Sequence, residues 1–128
     1  MAYYNTKTFD YTFDDTIAKV TEELKHEGFG ILTEIDVQAT LKKKLDVDFR
    51  KYRILGACNP PFAHKALLAE PNVGVLLPCN VIVQEDEEGR VRVSMVNPME
   101  SMQAVQNESL GEIAGEVSAR LNAVLEKI

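Results

Sequence analysis

Apolar residues recur along this chain in two rhythms, at every second position and at every third or fourth, and the switches between them mark out its elements. The opening "YYNTKTFDYT" alternates weakly and is rich in Tyr, Thr and Phe, which predicts a half-buried strand. Thr12 and Asp15 then resemble a capping box, and Phe13, Ile17, Val20 and Leu24 form the stripe of an amphipathic helix that ends at Gly28. In "FGILTEIDV" the period returns to two, with Phe29, Ile31, Thr33 and Ile35 expected on one strand face. Val37, Leu41 and Leu45 indicate a short helix whose other face carries a lysine run. "YRILGAC" is apolar on both faces and reads as a central, fully buried strand.

Asn59 is placed to cap a third helix that starts with Pro60 and Pro61, directs Ala63, Ala66 and Leu67 to the core, and ends near Glu70 and Pro71. A strand is expected from Val73, with Pro78 forcing a bulge, an edge or a break before "NVIVQED". The acidic "EDEEG" separates "NVIVQ" from "RVRVSMV" as a hairpin, in which Val91, Val93 and Met95 alternate with Arg90, Arg92 and Ser94 to give one buried and one wet face. Asn97 and Glu100 flag a short helix, and Leu110, Ile113, Val117, Leu121, Val124 and Ile128 stripe a last one expected to lie across the sheet.

This order predicts one α+β domain over residues 1–128, with a mixed or mainly antiparallel sheet and helices packed on it. A chain of 128 residues that is 45% hydrophobic buries roughly two-thirds of its unfolded surface, enough for a core without a staple. The net charge of −6 opposes nucleic acid as a partner. The longest apolar run, Val73 to Val83, is interrupted by Pro78 and Asn80, so no membrane span is expected, and without a signal-like start the protein is expected in the cytoplasm. G-x-G-x-x-G, G-x-x-x-x-G-K and G-x-S-x-G are all absent, which removes the usual support for nucleotide binding and for serine hydrolysis. Six basic residues, Lys42, Lys43, Lys44, Arg50, Lys51 and Arg53, crowd one stretch; a solvated face is the plainer reading and a small anion site the sharper one.

Chemistry concentrates in "LGACNPPFAHKAL" and "LLPCNVIV", where the two cysteines each precede an asparagine. Cys58, at a strand end before a helix start, is a candidate nucleophile with His64 as its base. A small buried hydrophobe is the commoner role for either cysteine. Cys58, Asn59, Cys79, Asn80 and Asp36 are the candidate ligand-binding residues, although Asp36 equally suits the cap of the second helix. The cysteine and histidine spacing matches no structural zinc signature, so no metal ligands are assigned, and the residues name no cofactor. Met95, Met99 and Met102 form a soft apolar patch suited to core or dimer packing.

The runs "GFG-LTEIDVQATLKKKL", "YRILGACNP-FAHKAL" and "GVLLPCNV-V" resemble the domain of unknown function 302 family, and the likeness covers essentially the whole chain. The resemblance implies an α+β domain, similar in outline to the TATA-box-binding-protein-like sheet, and assembly as a homodimer. It implies nothing about activity, and a sheet likeness does not transfer DNA binding to so acidic a chain. The expected function is thus a dimeric small-ligand-binding or regulatory domain with a pocket near the two Cys-Asn segments. The alternative is a thiol enzyme, or a redox or metal-binding protein, using Cys58 with His64 and Cys79.

Overall fold

Strands and helices alternate through residues 2–128, the part of the chain that the computed structural model describes. In order they are β1 (Tyr4–Phe9), α1 (Phe13–His26), β2 (Gly30–Asp36), α2 (Val37–Leu45), β3 (Tyr52–Cys58), α3 (Pro60–Ala69), a 3-10 segment (Pro71–Leu76), β4 (Cys79–Glu85), β5 (Val91–Val96), α4 (Pro98–Ser101) and α5 (Glu108–Lys127). The strands form one sheet in the order β1-β5-β4-β3-β2, antiparallel at every junction. This is the expected α+β class, with a sheet antiparallel throughout. None of the described helices is long and apolar enough to cross a membrane.

The β4–β5 hairpin sets the core. Val81 stands opposite Met95, Val83 opposite Val93 and Leu55 opposite Val81, so alternation sends all five to the same side of the sheet. Each is at most 1% exposed, and burying a valine or leucine this completely stabilises the fold by roughly 1.5–3 kcal/mol. Helices α1 and α5 cover that side with Phe13, Val20, Leu24, Val117, Leu121 and Val124. Because β1 and β2 occupy opposite edges, α1 has to cross the sheet to join them, which lays its stripe over the hairpin.

Thr12 caps α1 as expected, accepting from the Asp15 amide at 3.1 Å. Within the stripe Thr16 is fully buried while Ile17 is only partly so. Burial costs Thr16 little because its hydroxyl donates to the Thr12 carbonyl at 2.8 Å.

Four sequence expectations are corrected. Leu67, expected in the core, is 42% exposed, and Ala66 is the residue α3 buries. Thr33 and Ile35 do not share a face with Phe29 and Ile31, because a bulge at Leu32 shifts the β2 register: Ile31 pairs with Ala57 on the helix side, whereas Thr33 pairs with Gly56 and Ile35 with Ile54 on the other. β3 is neither central nor buried on both faces; it lies between β4 and β2, and Tyr52 and Ile54 are only partly covered. Residues 71–76 are a 3-10 segment instead of the start of a strand. Pro71 and Gly74 disfavour a ladder there, the Glu70 carboxylate accepts from the Asn72 amide, and Val73 packs against Ala66 and Leu110. The Leu77–Pro78 peptide is cis, and β4 begins at Cys79.

Gly56 marks a close approach on the uncovered side. A methyl group there would overlap Thr33 Oγ1 and come within 2.8 Å of Pro78 Cγ. Gly56→Ala should therefore cost about 1–3 kcal/mol in urea unfolding, and Thr33→Ala in the same chain should recover part of it. A neutral Gly56→Ala would contradict this packing.

Candidate functional site

Cys58 ends β3 and Cys79 begins β4, and the register puts Ala57 opposite Cys79, so Cys58 lies one step beyond its fellow thiol. Both border a small cavity enclosed by the strand ends, α3 and α5, whose walls include Phe29, Phe62, Met102 and Val117. Its volume is about 60 Å³ and its lining is almost wholly apolar. A few waters would fill it, whereas metabolite pockets run to roughly 300–1,000 Å³. Both cysteines are free.

Burial pushes the Cys79 thiol up to about 11, with Cys58 beside it adding to the effect. At neutral pH Cys79 is thus a protonated, weakly nucleophilic group. Around Cys58, Pro60 and Pro61 occupy the first two positions of α3 and supply no amide hydrogens, which weakens the helix end as an anion-stabilising site. Asn59 sits at the cap position with no side-chain capping bond. Its side chain instead donates to the Glu27 carbonyl at 3.2 Å and packs under Gly28, where a φ of 86° and the 3.1 Å that an added Cβ would leave to Asn59 Nδ2 both suit glycine.

The other sequence candidates are dispersed. His64 is exposed on α3 and does not line the cavity, whose wall takes Phe62, Ala63 and Ala66 from that helix. Asp36 caps α2, accepting from the Ala39 amide at 2.9 Å, and meets Arg53 at 3.5 Å. It lies at the opposite end of the β2–β3 ladder from Cys58, roughly 17 Å along the strand. Asn80 pairs with Gly56 and faces the uncovered side, away from Cys79. Among the described residues no three His, Cys, Asp or Glu side chains gather in a way that suits a metal ion. Two of the six basic residues in the stretch are paired with acids: Lys42 meets Asp46 at 3.0 Å and Asp48 at 3.4 Å, and Arg53 meets Glu34 at 2.8 Å.

Sequence reasoning missed a larger hollow on the open face of the sheet, a groove of about 520 Å³. Register arranges part of its floor in rows. Arg92, Gln84 and Tyr52 make one, and Thr6, Ser94 and Ile82 the next. Tyr4, Val96 and Asn80 lie beyond them. Thr6 and Ser94 hydroxyls share a hydrogen bond of 2.9 Å, and Arg50 donates twice to Gln84 Oε1, at 3.0 and 2.9 Å. The alternation in "RVRVSMV" was the available signal. It assigned Arg92 and Ser94 to the wet face, but Ser94 is only 6% exposed, its hydroxyl taken by Thr6, and only the full strand order brings Tyr4 and Tyr52 to this face.

The raised Cys79 pKa makes stability depend on alkaline pH. Because the native thiol holds its proton more tightly than the unfolded one, its contribution is complete below about pH 9 and is lost as pH rises toward 11. Urea melts between pH 8 and 11 should fall more steeply for the native sequence than for Cys79→Ala. Equal slopes would place Cys79 in a wetter setting.

Comparison with known proteins adds family and fold. Nothing among the curated proteins matches the chain. The crystal structure of the uncharacterized conserved protein DUF302 from Bacillus stearothermophilus is similar to it at 31% identity and a TM-score of 0.92, covering 99% of this chain and 98% of that one. The family model described as domain of unknown function DUF302 matches residues 5–128, the whole sheet and its helices except the first residue of β1. On that match and that shared fold, the chain belongs to the DUF302 family.

Proposed function

We propose that this chain is a cytoplasmic small-ligand-binding or regulatory domain, working as a homodimer, whose ligand lies in the open-face groove beside the second Cys-Asn pair. The observation that carries this reading is the groove itself. Its volume of about 520 Å³ falls in the range of small-molecule sites, and its walls combine aromatic and aliphatic surface with a few polar groups. The thiol cavity next to it offers neither the room nor the polar handles. Unpaired cysteines fit a reducing compartment. Leu68 and Val75, 73% and 86% exposed, provide apolar surface that a second copy can cover. The thiol-enzyme alternative has weaker support, since Cys79 is held protonated and His64 stands outside the cavity.

A fragment set titrated into isotope-labelled protein should move the amide resonances of Thr6, Asn80, Ile82 and Ser94, and Ile82→Asp should abolish those shifts while leaving the rest of the spectrum folded. Shifts centred on Cys58 and Phe62, or none on the open face, would overturn the reading. Light scattering should return twice the chain mass; a monomer at all concentrations would remove the homodimer from it.

A further inference from the structure

The polar groups of the groove are not evenly distributed, and their arrangement selects a class of ligand. Arg92 is its one charged lining residue among those described. Across the strand pair, Gln84 presents its side-chain oxygen to Arg50, which occupies it with two hydrogen bonds. That anchoring fixes which end of the amide is spent. The Gln84 NH₂ has no acceptor among the described residues and is left as a donor. The row Arg92–Gln84 therefore offers donors and positive charge, with the Arg50 guanidinium behind it.

The nearest competing anion is Asp86, whose Oδ2 lies 3.9 Å from Arg92 Nη2. Its other oxygen is committed to the hairpin turn, accepting from the amides of Glu88 and Arg90 at 3.0 and 2.9 Å. Glu87 and Glu88 do not line the groove; with Asp86 they border an adjoining hollow that shares Arg92 and Gln84 with it. Away from the donor row, Ile82 and Val96 provide apolar floor beside Tyr4, between the Thr6 and Ser94 hydroxyls, which bond each other, and Asn80.

We infer that the groove takes a small, flat carboxylate, its acid group on Arg92 and the Gln84 amide and its aromatic or branched body over Ile82 and Val96. The inference rests on the groove being the ligand site and adds the chemistry of the ligand. A carboxylate matches this row because it accepts from a planar guanidinium through two oxygens and from an amide at its edge.

The test uses benzoate as probe and benzamide as its uncharged counterpart, titrated into the full chain and followed by amide resonances of the groove. Benzoate should bind at least about tenfold more tightly than benzamide, as loss of a charge-assisted hydrogen-bond pair implies. Arg92→Gln should erase that difference. Gln84→Glu, which puts an acceptor where the donor was and keeps a partner for Arg50, should also weaken benzoate without weakening benzamide. Equal binding of the two compounds, benzoate binding indifferent to both substitutions, or no benzoate binding at all would overturn the carboxylate assignment. Those outcomes leave the groove reading standing as long as other fragments still shift its resonances, and that reading falls only if no fragment does.

Discussion

Along β4 and β5 every second side chain is buried against two helices, and the rest of the molecule is arranged around that alternation. Val81, Val83, Val91, Val93 and Met95 are essentially inaccessible, so a slip of one residue in β5 against β4 would drive Val91, Val93 and Met95 toward water and bring Arg92 into the core. The acidic turn is polar and exposed, and Asp86 closes it by accepting from the Glu88 and Arg90 amides. Five strands span roughly 24 Å, and two helices side by side cover about 20 Å. Helices α1 and α5 therefore suffice for one face, and α2, α3 and α4 are too short to blanket the other.

The uncovered face is where the two Cys-Asn segments part company. Consecutive residues in a strand leave on opposite sides, so Cys79 faces the cavity under the helices while Asn80 faces the groove. Environment then decides chemistry. The same thiol that would be an ordinary nucleophile in water is held protonated by burial. On the open face Arg50 donates twice to Gln84, and Arg92 stands opposite Gln84 at the same end. Gly56 allows Thr33 and Pro78 to close over the other end.

Charge plays a lesser part. Of the lysine run that stands out in the sequence, Lys42 pairs with Asp46 and Asp48, and these ion pairs are solvent-exposed and worth at most about 1 kcal/mol each. Asn59 ties the start of α3 to the end of α1 by a single neutral hydrogen bond beside Gly28, whose φ is 86°.

The helix caps at Thr12 and Asp36, the stripes of α1 and α5, the hairpin and its buried face were all legible in the order of residues, because each depends on neighbours no more than four positions away or on a strict period of two. Local pattern failed where a non-local partner intervened. The bulge at Leu32 exists because β2 pairs with β3 around Gly56, the 3-10 segment is held by Val73 against α3 and α5, and Thr16 is buried by the elements packed over it. The candidate site divides in the same way. Cys58, Asn59 and Cys79 could be located from sequence because they flank recognisable element ends. The groove could not, since its walls come from β1, β3, β4 and β5, and only the pairing of strands far apart in the chain, together with the shortage of helix to cover them, places Tyr52, Gln84 and Arg92 side by side.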